Sequence, residues 1–246
     1  MAFPVAILTE GSADDIFIGK LIEENGLEQG KFYIPPFPQN EIGGLFNFWR
    51  KIQSIRSTSA PYILRKSKAM VIIADNDNNP KDRFDEVKNQ IQIANQKAKP
   101  EDLFGIPKEP REAAQKSITL PPVYILMLPW DNVNGCLETL CIQSANKAKY
   151  KTQLDCAEQF AGCVGAEKWV EPSNGLPDIA RESKFRVKSI LASICNDPYT
   201  PFNSAWNPKK SPMDIFLLKD AVFSQIINFL TELTRDEEAT KAAVTL

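Results

Sequence analysis

Three stretches of the chain are apolar without interruption: Val5 to Thr9 (VAILT), Met70 to Ala74 (MVIIA) and Val123 to Leu128 (VYILML). Each is too short for a globular helix and runs on instead of alternating, which is the pattern of a strand covered on both faces. Phe32 to Phe37 reads as a further short strand, and its two prolines put it at an edge or an early exit into a loop. Between these runs the apolar spacing becomes helical. Ser12 opens such a stretch with Ile16, Leu21 and Ile22 apolar, and Ser12 with Asp15 forms a capping-box variant. Further helices are expected from about 44 to 55, 82 to 96 and 134 to 145, with a looser linker up to Lys68 and a proline-rich loop or insert from Lys99 to Pro122. Short strands alternating with helices predict an α/β fold, a mostly parallel sheet with helices on both faces. After Lys147 the pattern is helical throughout, with one helix over about 178–194, a long amphipathic one from Met213 to Leu233 and a frayed charged tail. The chain therefore divides into an α/β core (1–145) and a helical C-terminal extension (146–246) that packs on the core and contributes a basic helix.

The composition of the 246 residues, 43% hydrophobic and 24% charged, is that of a globular chain. No apolar run approaches the length of a membrane span, and MAFPVAILTEG has neither a basic n-region nor a small-residue cleavage site, so a cytoplasmic protein is expected. A net charge of −2 names no partner, and any nucleic-acid surface has to be a local patch. The absence of histidine removes Ser-His-Asp and Cys-His nucleophile pairs and every His-containing zinc site. Five cysteines without a C-x-x-C pair read as buried small hydrophobes in a reducing compartment. Chemistry is left to carboxylates, lysines, hydroxyls or a metal.

The carboxylates fall where open parallel sheets keep their working groups, just past the carboxyl ends of strands. Glu10 ends the first strand and Asp14 lies a turn into the next helix; Asp75 and Asp77 end the MVIIA strand; Glu138 lies on the helix after the VYILML strand. Singly, each is equally a turn, a cap or a solvated loop residue. Together they point to a cation, because crowded acids repel and a divalent ion relieves them; Mg²⁺ or Mn²⁺, one or two ions, suits such a site. Asp75-Asn76-Asp77-Asn78-Asn79 also matches the first positions of a calcium loop, but Pro80 stands where that loop needs glycine.

Glu10-Gly11-Ser12-Ala13-Asp14 after the first strand, Asp75-Asn76-Asp77 after the MVIIA strand and Leu137-Glu138 after the next strand resemble the topoisomerase-primase (Toprim) domain. The closest likeness is to its stand-alone branch related to overcoming-lysogenization-defect nucleases. The resemblance covers about the first 145 residues, where it implies a Toprim-like core, and more loosely reaches residue 195. It implies metal-dependent phosphodiester hydrolysis of DNA or RNA, an antiphage defence role and an ATPase partner protein. Metal ligation would fall to Asp75, Asp77 and Glu138, with a second ion near Glu10 and Asp14; Glu10 is alternatively a general acid or base. A downstream catalytic lysine is implied within Ser183 to Ala192, which offers Lys184 and Lys188, one helical turn apart, with Lys184 preferred. One feature departs from the family pattern: Asn78-Asn79-Pro80 follows the D-x-D, so a third acid sometimes seen there is missing; no tyrosine sits in a topoisomerase context, so strand passage is not expected.

Arg50, Lys51, Arg56, Arg65, Lys66 and Lys68, interleaved with Phe46, Phe48, Trp49 and Tyr62 and free of acids, suggest a strand-binding face, the alternative being a solvated helix packed on the sheet. Asn146 to Lys151 is a weaker basic patch. A non-catalytic binding or sensing module is the competing functional class, and a small-molecule phosphotransferase a third.

Overall fold

The computed structural model describes residues 4–35, 48–57, 61–172 and 175–235, leaving out the side chains of 56, 57, 61 and 62. Its centre is a four-stranded, all-parallel sheet of β1 (Val5–Leu8), β2 (Phe32–Tyr33), β3 (Ala69–Asp75) and β4 (Val123–Leu128), in the order β2-β1-β3-β4. The chain is α/β, with helices on both faces. Alternating side chains assign those faces. Val5, Ile7, Val71, Ile73, Leu126 and Leu128 point one way, into a core shared with α1 (Ser12–Glu24), α5 (Leu137–Gln143), α6 (Lys147–Cys163), α7 (Ile179–Ile194) and α8 (Ser224–Thr234). Ala6, Leu8, Met70, Ile72, Ile125 and Met127 point the other way, against α2 (Phe48–Ser57), α3 (Pro61–Arg65) and α4 (Pro80–Gln96). The C-terminal extension thus completes the core over one face of the sheet.

Several elements differ from the sequence expectation. The second strand is only two residues long and lies at the sheet edge; residues 36–37 of the expected span, like 44–47 of the expected second helix, lie outside the described residues. Helix α1 begins at Ser12, but its N-cap is Gly11, which has no side chain to accept a hydrogen bond, and Asp15 is engaged with Thr9 and Lys51 instead. Helix α5 starts three residues later than expected. Gly135 stands just before it at φ 132°, and a Cβ there would meet Thr139 Oγ1 at 2.6 Å; Cys136 then caps the helix through Thr139. The long helix expected from Met213 is α-helical only from Ser224, after a single 3-10 turn at Ala221–Phe223. Ile215, Phe216 and Leu218 are buried as the pattern required, yet they sit on non-helical chain tied down by Leu217 N donating to Ser144 O and Asn146 N donating to Ile215 O. The tail from residue 236 lies outside the described residues. Among the described residues no helix is long and apolar enough to cross a membrane.

Candidate active site

Strand β1 has β2 on one side and β3 on the other, so successive connections leave β1 in opposite directions and a crevice opens at the carboxyl ends of β1 and β3. The two strands deliver Glu10 and Asp75 there, on adjacent strands, and Asp75 N donates to Glu10 Oε1 at 2.9 Å. Asp75 Oδ1 accepts from Leu137 N at 2.9 Å, so the first turn of α5 fixes the Asp75 carboxylate and brings Glu138 beside it. Ligand atoms of Asp75, Glu138 and Cys136 lie within 4.8 Å of one another.

The loop after β3 is built to hold its acids in place. Asp77 has φ 47°, a left-handed backbone that turns the chain out of the strand direction, and its carbonyl accepts from Gly135 N at 2.6 Å. Asn76 is fully buried, its amide donating to the Trp130 and Val133 carbonyls. Asn79 accepts from Asp82 N and caps α4, which removes it from any calcium loop, and Glu86 pairs with Arg83 at 2.9 Å. Both loop acids still face one cation: Lys184 Nζ lies 3.9 Å from Asp75 and 3.7 Å from Asp77. Lys188, a turn further along α7, is exposed and lines the adjoining cleft rather than the carboxylates.

Burial and mutual repulsion leave their mark on these groups. Asp14 is pushed from its ordinary 3.8 up to about 7, first by burial and then by the charges of Glu10 and Glu138. Asp75 rises well above the carboxylate range for the same reasons, burial leading and Glu10 and Asp14 adding. Glu10 is raised by burial although Arg83 opposes it. Burial alone would lower Lys184, but Asp75, Asp77 and Glu138 outweigh it and hold the ammonium charged. Acids whose folded pKa exceeds the unfolded one bind protons more tightly when folded, so their contribution to stability is complete below about pH 4 and is lost as pH rises through about 7. In chelator, the melting temperature is therefore expected to fall between pH 5 and pH 7.5, on the order of 5 °C. Thermal denaturation in EDTA at the two pH values checks this, and a rise across that window would contradict it.

A divalent cation fits this donor set. Glu10, Asp14, Asp75, Asp77 and Glu138 are hard oxygen donors, and the cations in contact with them, Arg83 and Lys184, leave an excess of negative charge. Cys136 is the wrong partner for Mg²⁺ or Mn²⁺: its sulfur is a soft donor, and these ions take hard oxygen ligands. Asp75 and Glu138 are the better anchors.

Two contributors escape a reading by motif. Arg83, one turn into α4, donates through Nη2 to Glu10 Oε1 at 3.2 Å and lies 3.0 Å from Asp77 through Nε. Its guanidinium bridges Glu10 and Asp77, so a cationic group already sits beside Glu10, one of the two acids near which a second ion is expected. The other is Cys136, next to Glu138 and within the acidic group. The basic stretch of the sequence fares differently. Lys51 is no surface residue; it is 2% exposed and its ammonium lies 3.1 Å from Asp15, because it falls on the face of α2 that carries Phe48, Ile52 and Ile55 to the sheet. Arg50 is exposed beside Trp49, and the Arg56 side chain lies outside the described part. Arg65 pairs with Asp102, and Lys68 reaches the Arg235 carbonyl. Arg65, Lys66 and Lys68 precede β3, whereas Asp75 closes it, so the strand holds them about 20 Å from the carboxylates. In the second patch Lys149 and Lys151 pair with Asp214 and Asp155.

A family model described as "Protein of unknown function (DUF3226)" matches residues 4–235. The chain belongs to this family. No curated protein and no solved structure matches it. In this member of DUF3226 the match spans β1 through α8, so the carboxylate crevice and the C-terminal helices that close it belong to one family unit.

Proposed function

We propose that the chain is a divalent-metal-dependent phosphodiesterase acting on nucleic acid, built on a Toprim-like core. The observation that carries this reading is the convergence of Glu10, Asp14, Asp75, Asp77 and Glu138 at the crevice between β1 and β3, with Lys184 facing two of them. Asp75 and Glu138 would hold the ion, with Asp77 beside them. A bound Mg²⁺ or Mn²⁺ would supply charge neutralisation at the scissile phosphate and a more acidic water. Leu137 N and the Asp75 amide fix the carboxylates of Asp75 and Glu10 before any ligand arrives. Lys184 is placed to stabilise negative charge developing on the phosphoryl oxygens. Asp14, with its carboxyl near 7 in the metal-free protein, is better suited to move a proton at neutral pH than Glu10, whose oxygens are held by Asp75 N and Arg83. The Toprim resemblance supplies the biological setting, an antiphage effector working with an ATPase partner.

One observation favours a second reading, a non-catalytic binding or sensing module: Arg83 already bridges Glu10 and Asp77 as a resident cation. Incubating labelled single-stranded DNA, RNA and duplex DNA with the protein in Mn²⁺, Mg²⁺ or EDTA separates the two. Metal-dependent cleavage is expected, falling about 100-fold or more in Lys184→Ala. No cleavage of any substrate, with binding retained, would leave the sensing module.

A further inference from the structure

Beside the carboxylates lies an open cleft of about 620 Å³ whose walls include Asp77, Trp169, Arg181, Lys184, Phe185 and Lys188. We propose that this cleft binds single-stranded nucleic acid, with an unpaired base stacked against Trp169 and the adjoining phosphates held by Arg181, Lys184 and Lys188. The inference rests on the phosphodiesterase reading of the neighbouring carboxylates and names the substrate form that site would take.

Flat and charged surfaces are combined here. The Trp169 ring is half-buried; Phe185 meets it edge-on with ring centroids 5.1 Å apart, and the Arg181 guanidinium lies 4.6 Å from its centroid. Indole and guanidinium are both planes on which bases stack, and such stacking serves every base because each has a π-face. The volume is in the range of pockets that enclose small organic ligands. Arg181, Lys184 and Lys188 are three and four residues apart on α7, so they share one helix face. Lys184 belongs to cleft and carboxylate cluster at once, which makes the two continuous: a phosphate at Lys184 has the acids on one side and the aromatic wall on the other.

Three acids line this wall and each is partnered: Asp77 lies 3.0 Å from Arg83 and 3.7 Å from Lys184, and Glu171 and Asp178 share one amide. The Asn78 amide donates to both Glu171 and Asp178, and Asp178 also caps α7 by accepting from Arg181 N. The Trp169 wall is fixed in turn, since Asp178 N donates to the Trp169 carbonyl at 2.9 Å and Val170 pairs with Pro177. An opening between a helix and a short loop admits one strand more readily than a stacked duplex, whose bases present only their edges.

Fluorescence anisotropy in EDTA with short labelled oligo-dT and oligo-U, and with duplex of matching length, measures binding without cleavage. Single strands are expected to bind more tightly than duplex. Trp169→Ala should weaken single-strand binding about 10-fold or more, with Trp169→Phe recovering most of it. Should Trp169→Ala fail to fold, the exposed pair Arg181→Ala/Lys188→Ala carries the test: the slope of log affinity against log salt should become shallower by about 1.4, two phosphate contacts on a single strand. Preference for oligo-dT or oligo-U identifies DNA or RNA as the source of the strand. Equal binding by wild type and both Trp169 variants, an unchanged salt slope in the double variant, or duplex bound as well as single strand would each overturn the proposal. Cleavage in Mn²⁺ is read separately. Binding as expected without cleavage removes the catalytic reading, whereas cleavage unaffected by these variants removes this one.

Discussion

Replacing Asp75 by Asn is expected to abolish stabilisation by Mn²⁺ and to eliminate phosphodiester cleavage while leaving the fold intact. Asn retains an oxygen to accept from Leu137 N, so the local hydrogen bond survives. What disappears is a carboxyl whose ionisation burial, Glu10 and Asp14 all oppose, and relief of that cost should raise the metal-free melting temperature slightly, by about 2–4 °C for each kcal/mol recovered. Metal behaves oppositely. In wild type a ligand at about a hundred times its dissociation constant adds about 2.7 kcal/mol; the variant should gain almost none of it. Melting curves over a full Mn²⁺ titration of both proteins make the comparison. The same metal response in both would show that the cluster is not a metal site.

Asp15→Ala is expected to destabilise the protein by about 3 kcal/mol, the range for removing one partner of a buried ion pair. Its carboxylate lies 3.1 Å from the ammonium of Lys51, which is 2% exposed, and also accepts from Thr9 Oγ1 at 2.6 Å. Burial pulls the Lys51 pKa down while Asp15 holds it up, so loss of the carboxylate leaves the desolvation of the ammonium less compensated. Adding Lys51→Met should recover part of the loss, since the charge is then gone and the aliphatic contacts remain. Urea unfolding of the single and double variants provides the numbers. A single variant within about 0.5 kcal/mol of wild type, the usual range for surface changes, would mean that Lys51 reaches water after all.

Lys51 also marks the limit of reading function from a one-dimensional pattern. Six basic residues without an acid resemble a phosphate-binding face, but helical periodicity puts position 51 with Phe48, Ile52 and Ile55, and its partner comes 36 residues earlier. The three long strands were legible because burial on both faces demands an unbroken apolar run. Their carboxylates were legible because parallel strands end together at one edge, so Glu10 and Asp75 had to be neighbours once β1 and β3 were. Arg83 and Cys136 were not, since nothing local distinguishes a helix-surface arginine or a capping cysteine from any other. The segment from Met213 to Phe223 misled for a related reason: apolar spacing records which positions are buried, and Ile215, Phe216 and Leu218 are buried on a chain that is not helical. The Trp169 cleft needed the fold, because its walls come from the loop after α6, from α7 and from the loop after β3.

The span between those walls has a consequence for the order in which the site comes into being. Asn78 meets Ala180 across 102 residues, and Asp75 meets Leu137 across 62. A chain emerging from its amino end during synthesis therefore displays Glu10, Asp14, Asp75, Asp77 and Glu138 well before Arg181, Lys184 and Lys188 exist. Until α7 is made, the acids lack the lysine that faces them, and any ion bound at that stage would have no basic wall beside it to receive a phosphate.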